Sequence, residues 1–112
     1  MATTLGTAAR NAACNAVTAL VNAGSGPGKI RIKSAGATVI AEIVLDDPAF
    51  GAASTGVATA AGTLDGAGIA AAGAGTVATT FDVTDSDNTV VWSGAVGNGS
   101  GELNINNTNI AN

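Results

Sequence analysis

The sequence predicts a mainly β domain with one N-terminal α-helix, folded as a small antiparallel β-sandwich or barrel. One long helical pattern stands at the start of the chain. Short alternating apolar runs then follow, separated by turn residues every eight to twelve positions. The chain has 112 residues, which fits one domain with a modest core. We therefore predict a single domain over residues 1–112, with a helix at about 4–23, a Gly-rich linker at 24–28 and a β domain at 29–112.

The helix is predicted from apolar residues that recur at three- and four-residue spacing and form one stripe. Because alanine side chains are small, this stripe can approach its support closely, and the helix is expected to cover one open side of the β domain or to reach out to a neighbour. Thr3 or Thr4 is expected to cap the start, and Gly24 to end the helix in a left-handed conformation. The stripe consists of Leu5, Ala9, Ala12, Ala13, Ala16, Val17 and Leu20, and the opposite side carries Arg10, Asn11, Asn15, Thr18 and Asn22.

Two strands are predicted directly after the linker. Ile30 and Ile32 alternate with three basic residues, so we expect the isoleucines inside and the cations outside. Cations on the solvent side are typical of an edge strand that avoids unwanted pairing. The segment 38–45 is apolar on both faces apart from Glu42, which predicts a central strand.

The second half of the chain is less regular. Residues 46–51 are expected to form a turn anchored by Phe50, and weak patterns predict strands at about 56–62 and 67–72. A hairpin is predicted over 76–96, because two β-type runs flank turn residues at 85–88. The first run should place Val77, Thr79, Phe81 and Val83 on one face, and the second should alternate Val90, Trp92 and Gly94. Residues 102–106 alternate once more, and 107–112 resemble a turn that leads to a further strand.

Composition argues against most catalytic and nucleic-acid-binding functions. The chain has 25 Ala and 16 Gly, only 11% charged residues and a formal net charge of −4. The absence of histidine excludes His-based triads and His general bases, and no other nucleophile with a base and an orienting group stands out. Four basic residues do not predict a nucleic-acid surface. We expect no enzyme activity, no catalytic residue and no cofactor.

Several local patterns have an ordinary structural interpretation. Asp82, Asp85, Asp87 and Asn88 superficially resemble a calcium loop, but Val90 and Val96 stand where that loop needs glycine and glutamate. A solvated hairpin turn is the better interpretation, so we expect no metal. The Gly-rich segments lack the Lys-Ser/Thr ending of a phosphate loop.

Cys14 and Trp92 each leave more than one interpretation open. Cys14 cannot form an intramolecular disulfide, since the chain has no second cysteine; it is a small apolar residue, a reactive thiol or the site of an intermolecular crosslink. Trp92 is a core anchor or an exposed contact residue. No signal peptide and no bilayer-spanning apolar run is evident, so we expect synthesis and folding in a cytoplasm and no membrane partner.

Segments along nearly the whole chain resemble a family of small proteins encoded by tailed bacteriophages and prophages. These segments are residues 1–17, 47–53, 56–60, 83–87 and 103–108. Members of that family are mostly described as hypothetical or virion structural proteins. The resemblance implies a virion component made in the bacterial host cytoplasm, and it transfers no catalytic residue.

The expected function is therefore a structural virion protein, and a capsid decoration or cement protein is the leading hypothesis. Expected partners are the major capsid protein or other virion proteins, with symmetry-related or homo-oligomeric copies and no nucleic acid. A tail, neck or fibre-attachment protein is the first alternative, and a carbohydrate-binding surface module is the second. The candidate interface residues are Leu5, Ala9, Ala12, Ala16, Leu20, Phe50, Asp85, Asp87 and Trp92.

Overall fold

A computed structural model describes residues 3–62, 64 and 66–112, and it confirms a mainly β domain with one N-terminal helix. The described elements of the first half, in chain order, are α1 (Thr7–Val21), β1 (Lys29–Lys33) and β2 (Val39–Val44). They are followed by β3 (Gly66–Gly68), a 3-10 turn (Ala70–Ala72), β4 (Thr76–Val77), β5 (Thr80–Thr84), β6 (Val90–Gly97), β7 (Leu103–Asn104) and β8 (Asn109–Ile110).

The strands form a six-stranded sheet in the order β3-β2-β1-β5-β6-β7 and a two-stranded sheet of β4 and β8. Every pair is antiparallel except β6 with β7. The core lies along the inner face of the larger sheet, where Ile30 and Ile32 of β1 stand opposite Val83 and Phe81 of β5. This arrangement agrees with the predicted small antiparallel sandwich or barrel.

The predicted alternation of β1 is confirmed, but its predicted position at an edge is wrong. Ile30 and Ile32 are 7% and 3% exposed, as expected. However, β1 pairs with β2 on one side and with β5 on the other, so its backbone needs no protection from foreign strands. The segment predicted as a central strand is also confirmed, since β2 pairs on both sides.

The helix is shorter than predicted and ends differently. It begins after Gly6, which makes no side-chain cap, so the expected capping by Thr3 or Thr4 is wrong. Its last turn is closed by the amides of Asn22 and Ala23, which donate to the carbonyls of Ala19 and Leu20 at 3.1 and 3.2 Å. Gly24 is not left-handed; its lack of a side chain allows close approach to Ser86 in the β5–β6 turn.

The two weak strand predictions in the middle of the chain are largely wrong. Residues 56–62 do not form a strand among the described positions and make only isolated bridges, Ser54 with Val57 and Phe50 with Ala60. Positive φ angles at Thr55 and Gly56 turn the chain sharply. The run predicted at 67–72 gives β3 and then the 3-10 turn, because alanine has no β preference of its own.

The predicted hairpin exists as β5 and β6, but a bulge changes the alternation of its second strand. Val83 pairs with Trp92, whereas the next residue, Thr84, pairs with Val90, so the register shifts between them. Val90 is consequently 51% exposed rather than buried beside Trp92. Val77 is 59% exposed, because the first run breaks before β5 and Val77 belongs to the smaller sheet. The segment predicted as a terminal turn includes β8.

Candidate interaction surface

The apolar side of the helix faces away from the domain. Leu5, Val17 and Leu20 are 55%, 44% and 55% exposed, and Val21 is the one buried residue of α1. The alanines of the predicted stripe are exposed as well, so of the two predicted positions the stripe does not take the one that covers an open side of the domain. We call the exposed set the outer helix face; it comprises Ala9, Ala12, Ala13, Ala16, Val17 and Leu20 of α1, together with Leu5, which precedes the N-cap Gly6.

Asparagine side chains hold the other side of the helix to the domain. The Oδ1 atom of Asn11 accepts a hydrogen bond from the amide of Gly56 at 2.8 Å. Asn15 accepts from the amide of Ala53 at 2.8 Å, and Asn22 from that of Ala49 at 3.0 Å. The helical repeat brings positions 11, 15 and 22 to one side, facing the loop that follows β2.

These bonds explain why the helix lies with its polar side inward. The loop 49–56 has few strand partners for its amide groups, and unpaired amides away from water are costly. Asparagine oxygens satisfy three of them, at Ala49, Ala53 and Gly56. Alanine methyl groups accept no hydrogen bonds, so the alanine side of the helix could not satisfy these amides if it faced the loop.

An aromatic groove lies beside the outer helix face. It encloses about 220 Å³. The rings of Phe50 and Trp92 contact each other there, with centroids 6.0 Å apart and planes tilted by 46°. Both residues are half-buried, so each anchors the fold and still borders solvent. The groove is lined by Cys14, Val17, Thr18, Phe50, Ala58 and Trp92.

Cys14 is half-buried in this groove among mainly apolar neighbours. This environment suits a small apolar residue that fills space. Arg10, one helical turn away, donates from its guanidinium to Thr7 Oγ1 at 3.2 Å.

The β5–β6 turn is built around the carboxylate of Asp85. Its Oδ1 atom accepts hydrogen bonds from the amides of Asp87 at 2.8 Å and Thr89 at 2.9 Å, and the residue is 9% exposed. Asn88 adopts a positive φ of 66°. The structure therefore places Asp85 inside the turn and leaves Asp87 exposed at its tip.

This turn also meets the chain that leaves the helix. The amide of Gly26 donates to Ser86 Oγ at 3.2 Å. Within the described ranges 3–62, 64 and 66–112, no group of three potential ligands could hold a metal ion. Turn formation is thus the role that the contacts of this aspartate-rich segment support.

The outer side of the sheet carries paired charges. Lys33 Nζ lies 2.7 Å from Asp82 Oδ2, and Arg31 Nε lies 3.5 Å from Glu42 Oε2 without a hydrogen bond. The hydrogen bond from Lys33 holds the pKa of Asp82 below its ordinary value, although burial opposes this. Lys29 also faces Glu42, at 3.9 Å. The three basic residues of β1 therefore lie beside carboxylates of the two neighbouring strands, β2 and β5.

The predicted interface residues form two groups in the structure. Leu5, Ala9, Ala12, Ala16 and Leu20 lie on the outer helix face, with the groove of Phe50 and Trp92 along its side. Asp85 and Asp87 lie in the β5–β6 turn, which contacts the segment after the helix through the hydrogen bond from the Gly26 amide to Ser86 Oγ. Sequence reasoning missed the three asparagine contacts, although the shared helix side of Asn11, Asn15 and Asn22 was visible as a signal.

A second apolar cavity, of about 290 Å³, lies between the first strands and the C-terminal segment. Ile32, Ala41 and Ile110 contribute apolar surface to it, and Asn106 and Asn107 contribute amide groups. It contains no aromatic ring that could stack on a sugar. Among the described residues, no helix combines the length and hydropathy needed to cross a membrane.

Comparison of the chain with known protein families, with curated proteins and with solved structures finds no match.

Proposed function

We propose that this protein is a structural subunit that works by assembling with other protein subunits. One observation carries the proposal: the apolar side of its helix is turned away from its own core. Leu5 and Leu20 are each 55% exposed on this face, whereas the contacts of the helix with the domain include the buried Val21 and three asparagine side chains on the other side. A contiguous apolar surface of this kind marks a protein interaction site, since covering it removes apolar area from water.

The finer proposal is a virion protein, with capsid decoration or cementing as the leading role. It is supported by the resemblance to small proteins of tailed phages and by the low charge density of the chain. Many copies bound at symmetry-related sites reinforce a shell even when each contact is weak. A tail, neck or fibre-attachment protein remains the alternative, with the exposed Asp87 at the β5–β6 turn as its contact.

A carbohydrate-binding role has less support from the aromatic residues. Phe81 is 6% exposed and belongs to the core, while Phe50 and Trp92 are half-buried against each other. Neither arrangement offers an open flat ring for a sugar. The proposal includes no catalytic step, because the chain has no histidine and its described carboxylates are engaged in turns and ion pairs or lie apart on the surface.

The first test is the copy number of this chain in purified particles, measured by quantitative mass spectrometry against the major shell protein. A ratio close to that of the shell supports decoration, and a ratio of a few per cent supports the neck or tail. Complete absence of the chain from particles would refute the virion proposal.

The role of the helix is tested by incorporation of Ala16→Glu, which places a charge at the centre of the outer helix face. Ala74→Glu is the matched control, since Ala74 is exposed in a turn on another part of the chain. We expect normal incorporation of the control and loss of Ala16→Glu. Normal incorporation of Ala16→Glu, with an unchanged circular dichroism spectrum, would show that this face makes no contact in the particle.

A further inference from the structure

We propose that Asn98 is a site of spontaneous covalent modification, at which the backbone nitrogen of Gly99 attacks the side-chain amide and water completes its conversion to a carboxylate. Both residues are exposed in the loop that joins β6 to β7. Asn98 lies outside the surface proposed for assembly, so the modification does not depend on that function.

The reaction needs an asparagine whose following residue offers little steric hindrance. The chain has one Asn–Gly step, at 98–99, and its other internal asparagines precede Ala, Thr, Ile or Asn. Gly99 has a φ of 99°, which glycine adopts without strain. Apart from its chain neighbours, no atom lies within 4 Å of the position that a Cβ of Gly99 would occupy. The approach to this nitrogen is therefore open.

The modification proceeds in two balanced steps. The Gly99 nitrogen gives its proton to solvent, forms a bond to Cγ of Asn98 and closes a five-membered succinimide ring. The Cγ–Nδ2 bond breaks, and Nδ2 takes up a proton and leaves as ammonia. Water then adds to either ring carbonyl and breaks its bond to nitrogen, which gives an aspartyl or an isoaspartyl residue. No electron is transferred, and water is the only co-reactant.

Hydrogen bonds in the folded loop hold both reacting groups. Asn98 Nδ2 donates to the carbonyl of Asn106 at 2.9 Å. The amide of Gly99 donates to Asn104 Oδ1 at 2.9 Å, and the amide of Gly101 donates to the same oxygen at 2.9 Å. Attack requires the Gly99 nitrogen to leave Asn104 and to lose its proton. The folded loop therefore slows the reaction, which occurs when this loop opens locally.

The product alters the contacts that join β6 to β7. A carboxylate has no donor, so it cannot replace the bond from Asn98 Nδ2 to the carbonyl of Asn106. It also adds one negative charge to a chain whose formal net charge is already −4. The amide of Ile105 donates to the carbonyl of Gly97 at 2.9 Å beside these bonds. Modification therefore weakens the attachment of β7.

Incubation of the full chain at mildly alkaline pH tests the site, followed by peptide mass spectrometry that separates asparaginyl, aspartyl and isoaspartyl forms. Asn88 is the internal control, because it is exposed but precedes Thr89. Asn98 should convert at least about tenfold faster, since a β-branched residue obstructs attack. Conversion of Asn98 at the rate of Asn88 overturns the proposal. Asn98→Gln should stay unmodified at this position, because its longer side chain does not close the five-membered ring.

The role of Asn104 is tested by the rate at Asn98. Asn104→Ala should accelerate conversion by about fivefold, because the Gly99 amide loses its acceptor. Asn104→Asp keeps an acceptor oxygen and should not accelerate it. In urea, wild type and Asn104→Ala should share one faster rate, since the loop is absent. Equal wild-type rates in buffer and in urea would show that the folded loop gives no restraint.

Hydrogen exchange tests the effect of the product on β7. Asn98→Asp reproduces the aspartyl form and should speed exchange of the Ile105 amide. Asn88→Asp adds the same charge in the β5–β6 turn and should leave that exchange unchanged. Equal exchange in wild type and Asn98→Asp would contradict the predicted weakening of the attachment.

Discussion

At the scale of single residues, the contacts separate side chains that stabilise the fold from side chains that are free to meet a partner. Asp85 and Asp87 stand two positions apart and looked alike in the sequence. The structure gives Asp85 two amide hydrogen bonds inside the β5–β6 turn and leaves Asp87 exposed. Because their contacts differ, we expect substitutions of the two residues to have different effects on stability.

Replacing Asp85 by alanine should lower the free energy of unfolding by about 1–3 kcal/mol, because two amides of the turn lose a charged acceptor. Asp87→Ala is the matched control and should change stability by less than about 0.5 kcal/mol, since it is an exposed site. Urea unfolding followed by Trp92 fluorescence measures both. Equal stability of the two variants would show that the Asp85 contacts contribute little.

Asp82 predicts a dependence of stability on pH. Its pKa is lowered in the folded state, chiefly by the hydrogen bond from Lys33. The folded state therefore binds this proton less readily than the unfolded state does. The stabilisation is fully present above the ordinary aspartate pKa of about 3.9 and is lost as the pH falls through the lower folded value.

The measurement is the urea midpoint between pH 6 and pH 2.5 for wild type, Asp82→Asn and Asp87→Asn. We expect Asp82→Asn to reduce the fall in stability below about pH 4, and Asp87→Asn to leave most of that fall in place. An unchanged acid profile for Asp82→Asn would contradict the assigned role of the Lys33–Asp82 pair.

At the scale of elements, the helix shows what the sequence pattern could and could not predict. The apolar spacing predicted a helix correctly and indicated which residues share a side. It did not determine which side faces the domain, because that depended on amide groups of the loop 49–56, far along the chain. Asn15, for example, bonds to the amide of Ala53, a contact that no local pattern contains.

Truncation of two neighbouring helix residues should reduce stability by very different amounts. Val21→Ala removes buried apolar volume and should cost about 1–3 kcal/mol, whereas Leu20→Ala should cost less than about 0.5 kcal/mol because Leu20 is 55% exposed. Thermal unfolding of the two purified variants measures the difference. A larger cost for Leu20→Ala would mean that the outer helix face contributes to the stability of the single chain.

Hydrogen exchange tests the asparagine contacts. Asn15→Leu should speed exchange of the Ala53 amide, because its acceptor is lost. Asn15→Asp keeps an acceptor oxygen at the same position and should preserve most of the protection. Equal exchange rates in wild type and Asn15→Leu would show that this hydrogen bond does not hold the loop.

At the scale of the whole molecule, the sequence was most informative where strands are longest. The fold class, the strands β1 and β2 and the β5–β6 hairpin were all predictable from alternation and turn chemistry. The position of β1 inside the sheet was not, because strand order depends on pairing between distant segments such as Arg31 with Asp82. The residues of the candidate helix surface were predictable from their spacing, whereas the asparagine contacts that turn this surface away from the domain were not.

The C-terminal segment contributes to the whole fold in a way that its polar sequence did not indicate. Ile110 of β8 packs against the core, and β8 pairs with β4 to form the smaller sheet. Ile110→Ala should therefore reduce the free energy of unfolding by about 1–3 kcal/mol, since it removes partly buried apolar volume. Guanidinium unfolding measures this change, and an unaltered midpoint would show that β8 docks without stabilising the domain.

The attachment of the helix by asparagine side chains has a thermodynamic consequence. Releasing α1 from the domain would break these three hydrogen bonds and expose Val21 and part of the groove of Phe50 and Trp92, while ten of the eleven buried core residues belong to the rest of the chain. Heat-capacity changes and urea slopes scale with the surface that becomes hydrated. Detachment of the helix should therefore have a smaller heat-capacity change and a shallower urea dependence than unfolding of the β core.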